Sequence, residues 1–150
     1  MTNLEGLWVV DTNVILKLFF DEDDTDRATA LFQRLETGEI RIAVPDLLVA
    51  EFINVLWVKL RQGQADSQSS RTILAQFLDL ISRLEVVSFS ALAFETLEAS
   101  IRYSHAAYDM AFLVLAEKLK AHFVTADVIL FRKLILHSTA PVLLKALRLT

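Results

Sequence analysis

Trp8-Val9-Val10-Asp11-Thr12-Asn13 sets a short, wholly apolar run directly against an acid. A strand with one wet face alternates apolar and polar residues. A strand covered on both faces reads as a continuous apolar run instead. The same grammar recurs at residues 40–44, at 86–89 and at Phe123-Val124-Thr125. Residues 141–144 predict a last strand at a sheet edge, where Pro141 removes no needed ladder hydrogen bond.

Between these runs the apolar spacing turns helical. Residues 14–20 are amphipathic, and 25–37 carry Ala28, Leu31, Phe32 and Leu35 on one face, with Gly38 as the closing residue. Asp46 is the expected cap of a long helix over 47–61, closed by Gly63. A polar turn at 64–70 leads to a helix over 71–84, and Ser90 is the expected cap of one running to Tyr103. Two more helices are predicted at 107–120 and 128–136. Strands and helices that alternate in this way make an α/β fold with a parallel sheet covered on both faces. In such sheets functional groups gather beyond the carboxyl ends of the strands. No internal repeat, low-complexity tract or Pro/Gly-rich linker interrupts the chain, so one domain over 1–150 is expected.

Composition narrows the function classes. Of 150 residues 54% are hydrophobic and 23% charged, with three Gly and two Pro, which excludes a disordered tail, a collagen-like repeat and a flexible linker. The mean hydropathy of +0.44 raises the question of a membrane. The longest stretch without a charge, Leu134 to Leu144, contains Pro141 and is far short of the roughly 20 apolar residues a spanning helix needs. Met1-Thr2-Asn3-Leu4-Glu5 has neither a basic region nor a small-residue cleavage site, so no signal peptide is expected. With no Cys there is no disulfide framework, thiolate metal site or Cys nucleophile, and a cytoplasmic protein is expected. Fifteen Lys and Arg against 19 Asp and Glu give a net charge of −4. A protein that grips a polyanion with its own side chains is normally basic. Here a divalent cation would have to supply the positive charge.

Four acids stand where the chemistry of an α/β sheet is expected. Asp11 and Asp127 each follow a strand and precede a helix, a position that also suits a helix cap. Glu51, in Val49-Ala50-Glu51-Phe52-Ile53, and Asp109, in Ala107-Tyr108-Asp109-Met110-Ala111-Phe112, lie near the starts of otherwise apolar helices. A solvated face or a basic partner is the bland alternative for both. Helix starts lie on the same side of a parallel sheet as strand ends, so Asp11, Glu51, Asp109 and Asp127 are expected to converge on one cleft. Carboxylates gathered there repel one another unless a cation sits between them. Hard oxygen ligands without Cys or clustered His select Mg²⁺ or Mn²⁺ over zinc. Held beside a phosphate, such ions promote phosphodiester hydrolysis.

Other features carry weaker expectations. The acidic run Asp21-Glu22-Asp23-Asp24-Thr25-Asp26 reads as a solvated loop that favours the positive end of the next helix. His105, four positions before Asp109, is expected at the surface or at a cap, with contact to a nucleic acid as the alternative. His122 and His137 have no acid–base partner visible in the sequence. Ile53, Leu56, Trp57 and Leu60 form a helical stripe expected in the core, with a dimer interface as the alternative. Arg102, Lys118, Arg132 and Lys133 are candidates for a cleft rim.

Val10-Asp11-Thr12-Asn13, Pro45-Asp46-Leu47-Leu48-Val49-Ala50-Glu51, Tyr108-Asp109-Met110-Ala111 and Val124-Thr125-Ala126-Asp127 together resemble the acidic motifs of PIN domains, above all the VapC-type toxins of toxin–antitoxin pairs. The resemblance runs over nearly the whole chain in order and spacing. It implies a three-layer α/β/α fold around a short, mostly parallel sheet and a Mg²⁺-dependent endoribonuclease, with Mn²⁺ able to substitute. It also implies an RNA substrate, a homodimer and a small antitoxin partner. By that likeness Asp11, Glu51, Asp109 and Asp127 are the catalytic metal-site carboxylates, supported by Thr12, Asn13 and Thr125. One departure is local. Val128-Ile129-Leu130-Phe131 lacks the further acid that some relatives carry after the Thr-x-Asp element, so a second metal is expected to bind only weakly.

Competing readings fare less well against the same residues. A phospho-acceptor receiver domain wants paired acids after the first strand, where Asp11 has only Thr12 and Asn13 beside it. A haloacid-dehalogenase-type phosphatase needs an acid at position 13, which is Asn13. A catalytically silent PIN-like module for RNA or protein would show loss of an acid, and none of the four is missing. A stand-alone RNA-processing nuclease shares the chemistry but lacks an antitoxin. A structure-specific DNA nuclease would need additional elements.

Overall fold

The computed structural model describes residues 6–148. Five strands form one wholly parallel sheet: β1 (Gly6–Val10), β2 (Ile40–Pro45), β3 (Glu85–Val87), β4 (His122–Thr125) and β5 (Pro141–Leu143). Their order is β3-β2-β1-β4-β5; all five expected strands form, but the third ends at Val87 rather than Phe89 and is largely exposed at the sheet edge. Trp8, Val9 and Val10 on the central strand are fully buried, which is why that run has no polar alternate. Pro141 opens the edge strand β5, beside β4 only.

Seven helices complete the layers: α1 (Thr12–Leu16), α2 (Thr25–Glu36), α3 (Leu47–Arg61), α4 (Ser67–Ile81), α5 (Ala93–Tyr103), α6 (Ala107–Leu119) and α7 (Val128–Leu134). Because parallel crossovers are right-handed, the chain covers one face with α1 to α4 on its way to β3. It covers the other with α5 to α7 on its return through β4 to β5. The result is the expected three-layer α/β/α arrangement. Helix α6 is the return layer's central piece, with Met110 to Ala116 buried without a break. On the other face the stacked rings of Phe52 and Phe77, 3.8 Å between centroids, join α3 to α4.

The order of strands has a direct consequence for function. From β1 the chain moves outward to β2 and β3, then comes back past β1 to β4 and β5. The crevice between the carboxyl ends of β1 and β4 is the switch point, where α/β sheets of this kind bind their ligands.

Several local expectations are corrected. The helix expected over 14–20 ends at Leu16 and continues as turns through Phe20. Asp46 does not cap α3, because its backbone is helical (φ −65°, ψ −18°) and cannot aim the side chain at the helix amides. Its Oδ1 instead accepts from the Phe89 amide at 2.8 Å, clipping α3 to the end of β3. Ser90 lies within a 3₁₀ turn, Phe89–Leu92, and pairs with the Ser88 hydroxyl rather than capping a helix. Helix α4 starts earlier than expected because Asp66 caps it, accepting from the Ser69 amide at 2.8 Å. Ile53 and Trp57 are exposed while Leu56 is buried, so the stripe expected in the core is split between core and surface.

The acidic loop is exposed at Asp21, Glu22 and Asp23, as expected of a solvated run. It is held by the buried Lys17, whose Nζ donates to Glu22 Oε2 and the Asp23 carbonyl. No described helix is long and apolar enough to cross a membrane. The expectation drawn from Met1 to Glu5 lies outside the described residues.

Candidate active site

Asp11 leaves β1 in an extended conformation at the N-cap position of α1, yet its side chain makes no capping bond. It turns toward the neighbouring strand, where Val10 is in register with Val124. The Thr125 hydroxyl donates to Asp11 Oδ2 at 2.8 Å, and Asn13 Nδ2 donates to the same oxygen at 3.2 Å. Asn13 is oriented by its own carbonyl, Oδ1, which accepts from the Ala126 amide at 3.0 Å. The amide group therefore faces Asp11 with its donor side. Asp11 is 4% exposed and Thr125 fully buried. Burial pushes the Asp11 carboxyl up to about 7, and the charges of Asp109 and Glu51 push the same way against the Thr125 hydrogen bond.

Glu51 stands about one turn into α3, half-buried. Thr12, the first residue of α1, donates its hydroxyl to Glu51 Oε1 at 2.9 Å. Burial raises the Glu51 carboxyl above its ordinary range; the Thr12 bond opposes this and the Asp109 charge adds to it. Thr12, Asn13 and Thr125 thus each hold a carboxylate or its holder, from the positions the sequence picked out.

Asp109 lies in the first turn of α6. Its Oδ2 contacts His105 Nε2 at 2.6 Å, and the other ring nitrogen of His105 lies 3.3 Å from Lys133 Nζ on α7. His105 was expected at the surface or at a cap, and is instead a direct partner of a candidate site acid. The one signal in the sequence was its spacing, four residues before Asp109 across a helix start. Lys133 reaches this corner, whereas Lys118 pairs with Glu95.

Asp127 behaves differently. It is exposed, and its Oδ1 accepts from the amides of Ile129 and Leu130 at 2.9 and 3.0 Å, a true cap of α7. Its backbone amide donates to the Thr125 hydroxyl at 3.1 Å, which ties it to the same network.

The structure thus puts Asp11, Glu51 and Asp109 within electrostatic reach of one another and joins Asp127 to Asp11 through Thr125. Among the described residues no three His, Cys, Asp or Glu side chains close around a point tightly enough to hold a metal ion by themselves. The donors are all hard carboxylate oxygens, and neighbouring charge helps to raise the proton affinity of Asp11 and Glu51. That set fits an ion such as Mg²⁺, which keeps several waters and takes only one or two protein carboxylates. His122 packs its ring on Trp8 and His137 on Tyr103.

Comparison with known proteins agrees with the fold. The family model described as PIN domain matches residues 8–134. Ribonuclease VapC3 of Pyrobaculum aerophilum is 27% identical over 119 residues, 79% of this chain and 88% of that protein. Among solved structures, PAE2754 of the same organism superimposes with a TM-score of 0.68 at 21% identity, covering 93% of this chain and 85% of that one. VapBC2 of Rickettsia felis, bound to a DNA fragment from its promoter, gives a TM-score of 0.63 at 19% identity, covering 91% and 96%. At these identities the two structures speak for the fold.

Proposed function

The chain belongs to the PIN domain family, and on that premise we propose that it is a Mg²⁺-dependent endoribonuclease, the toxin of a toxin–antitoxin pair acting in the cytoplasm. The observation that carries this reading is the buried Asp11 at the β1–β4 switch point, in electrostatic contact with Glu51 and Asp109. An acid kept out of water beside two others costs stability, and folds retain such arrangements where they serve chemistry. The likeness to Ribonuclease VapC3 supports RNA as substrate.

Asp11, Glu51, Asp109 and Asp127 would hold the cation, with Mn²⁺ able to replace Mg²⁺. When bound, that ion lowers the pKa of water and neutralises charge on the scissile phosphate. Thr125 and Asn13 fix the Asp11 carboxylate, and Thr12 fixes Glu51, so the acids need no reorganisation when substrate arrives. The short apolar helix start Val128-Ile129-Leu130 adds no further acid, in keeping with one firmly held ion.

Cleavage by the purified chain should leave 5′-phosphate and 3′-hydroxyl ends, stop in EDTA, and fall to background in Asp11→Asn and Asp109→Asn. Cyclic phosphate ends, or full activity in EDTA, would overturn the assignment.

A free nuclease of this kind must be silenced, and its acidic cleft suits a cationic side chain from an antitoxin, making charge-assisted hydrogen bonds in the cation's place. Ile53 and Trp57, 45% and 56% exposed, extend outward on the same helix as Glu51 and suit the apolar part of such a segment. The likeness to the VapBC2 assembly supports this partner. Phe94, Leu97 and Ile101 form a second exposed apolar stripe on α5, which suits a homodimer. Light scattering should then give the isolated chain a mass above 17.0 kDa.

A further inference from the structure

The corner between α5 and α6 holds a connected set of groups that the carboxylate centre does not by itself explain. Helix α5 ends at Ser104, whose left-handed backbone (φ 49°, ψ 53°) turns the chain sharply toward α6. His105 follows, and its Nε2 lies 2.6 Å from Asp109 Oδ2. From α7, Lys133 Nζ donates to the Ser104 carbonyl at 3.0 Å and approaches His105 Nδ1 at 3.3 Å. Both His105 and Asp109 are partly shielded from solvent.

The direction of each hydrogen bond follows from the inventory of protons. A lysine ammonium has three donors and no acceptor, so Nδ1 can meet it only with a lone pair. In the neutral ring the single proton then sits on Nε2, where it points at Asp109. Lys133 therefore selects the tautomer, and the tautomer turns His105 into a donor toward the acid. The Ser104 carbonyl keeps the ammonium in place, so three elements converge on one carboxylate.

We propose that His105 is a positioning residue for the carboxylate centre: its Nε2–H holds Oδ2 of Asp109 while Lys133 fixes the tautomer, so that the other oxygen of Asp109 is presented to a divalent cation in one orientation. This rests on the metal-dependent reading above. Partners that orient ligating side chains are worth about 10- to 100-fold in metal affinity when removed.

The test is Mn²⁺ binding to the full chain, measured by calorimetry, beside thermal melts in metal-free buffer. His105→Leu should weaken Mn²⁺ binding by about 10- to 100-fold. His105→Gln, whose side-chain amide can donate from a similar place, should recover most of the loss, and Lys133→Met should fall between them. A metal-independent readout comes from long-range ¹H–¹⁵N spectra at pH 8. The unaltered chain should show His105 as the Nε2–H tautomer, and Lys133→Met should show a mixture. Unchanged Mn²⁺ affinity in His105→Leu, with Asp109→Asn losing it, overturns the positioning role and leaves the metal reading intact. No Mn²⁺ binding by the unaltered chain ends both. An Nδ1–H tautomer in the unaltered chain overturns the role of Lys133 even if His105→Leu fails to fold.

Discussion

Asp11 and Asp127 each follow a central strand and precede a helix, β1 into α1 and β4 into α7, and their strands are neighbours. At Asp127 the side chain turns back onto its own helix, accepts two amides and stays in water. At Asp11 the side chain ignores its helix, reaches across to Thr125 and is buried beside two other acids. The first arrangement stabilises the fold and the second works against it, although the sequence context is nearly the same.

The largest expected effect comes from charge on Asp11. Its folded-state pKa, about 7, lies above the ordinary 3.8, so the native chain binds that proton more tightly than the unfolded chain. The contribution of Asp11 to stability is then greatest below about pH 4, declines as pH rises to about 7, and levels off above. Over that window the group accounts for about 4 kcal/mol. Urea denaturation of the metal-free chain at several pH values should show this decline, and Asp11→Asn should flatten it and be the more stable protein at pH 8. Equal pH dependence in both would place the buried charge elsewhere.

Asp127 should behave in the opposite sense. Removing its cap in Asp127→Ala should cost about 1 kcal/mol in metal-free buffer, whereas Asp127→Asn, a good cap, should cost far less. Mn²⁺ then divides the two roles. At 100 times its Kd the ion should add about 2.7 kcal/mol to the unaltered chain. If Asp127→Asn keeps that gain in full, this acid is a cap and no ligand.

Thr125→Val should cost about 1 kcal/mol, by deleting a hydroxyl that serves both acids. Its sharper signature is the Asp11 titration followed by NMR. The midpoint should move upward, because the hydroxyl is the main group holding it down. A midpoint that stays or falls would mean that Asp11 does not depend on β4.

How legible this was from the residues varies with the physical scale involved. β1, β2 and β4 were legible because burial on both faces leaves continuous apolar runs, α3 because its buried residues recur at helical spacing, and α6 because its apolar run is too long for a strand. Asp46 and Ser90 were misread because capping depends on backbone angles that residue type does not dictate. The fate of Ile53 and Trp57 depended on which face of α3 meets α4, a matter of tertiary packing such as the Phe52–Phe77 stack. Among the candidate site residues, Glu51 and Asp109 were legible as lone acids in otherwise apolar helices, and Asp11 as an acid at a strand end. His105 was not, because Lys133, which decides its tautomer, comes 28 positions later on another helix.

The hydroxyl of Thr125 and the amide of Asn13 both address one oxygen of Asp11, Oδ2. A proton taken up by the carboxyl can therefore settle on Oδ1 without disturbing either bond. It would occupy the same lone pairs that a cation needs, which makes the two ions rivals for one seat. With the Asp11 carboxyl raised toward neutral pH, loading the site should expel a proton from Asp11, and more completely at pH 5 than at pH 8. The heat of loading would then depend on the buffer that receives the proton.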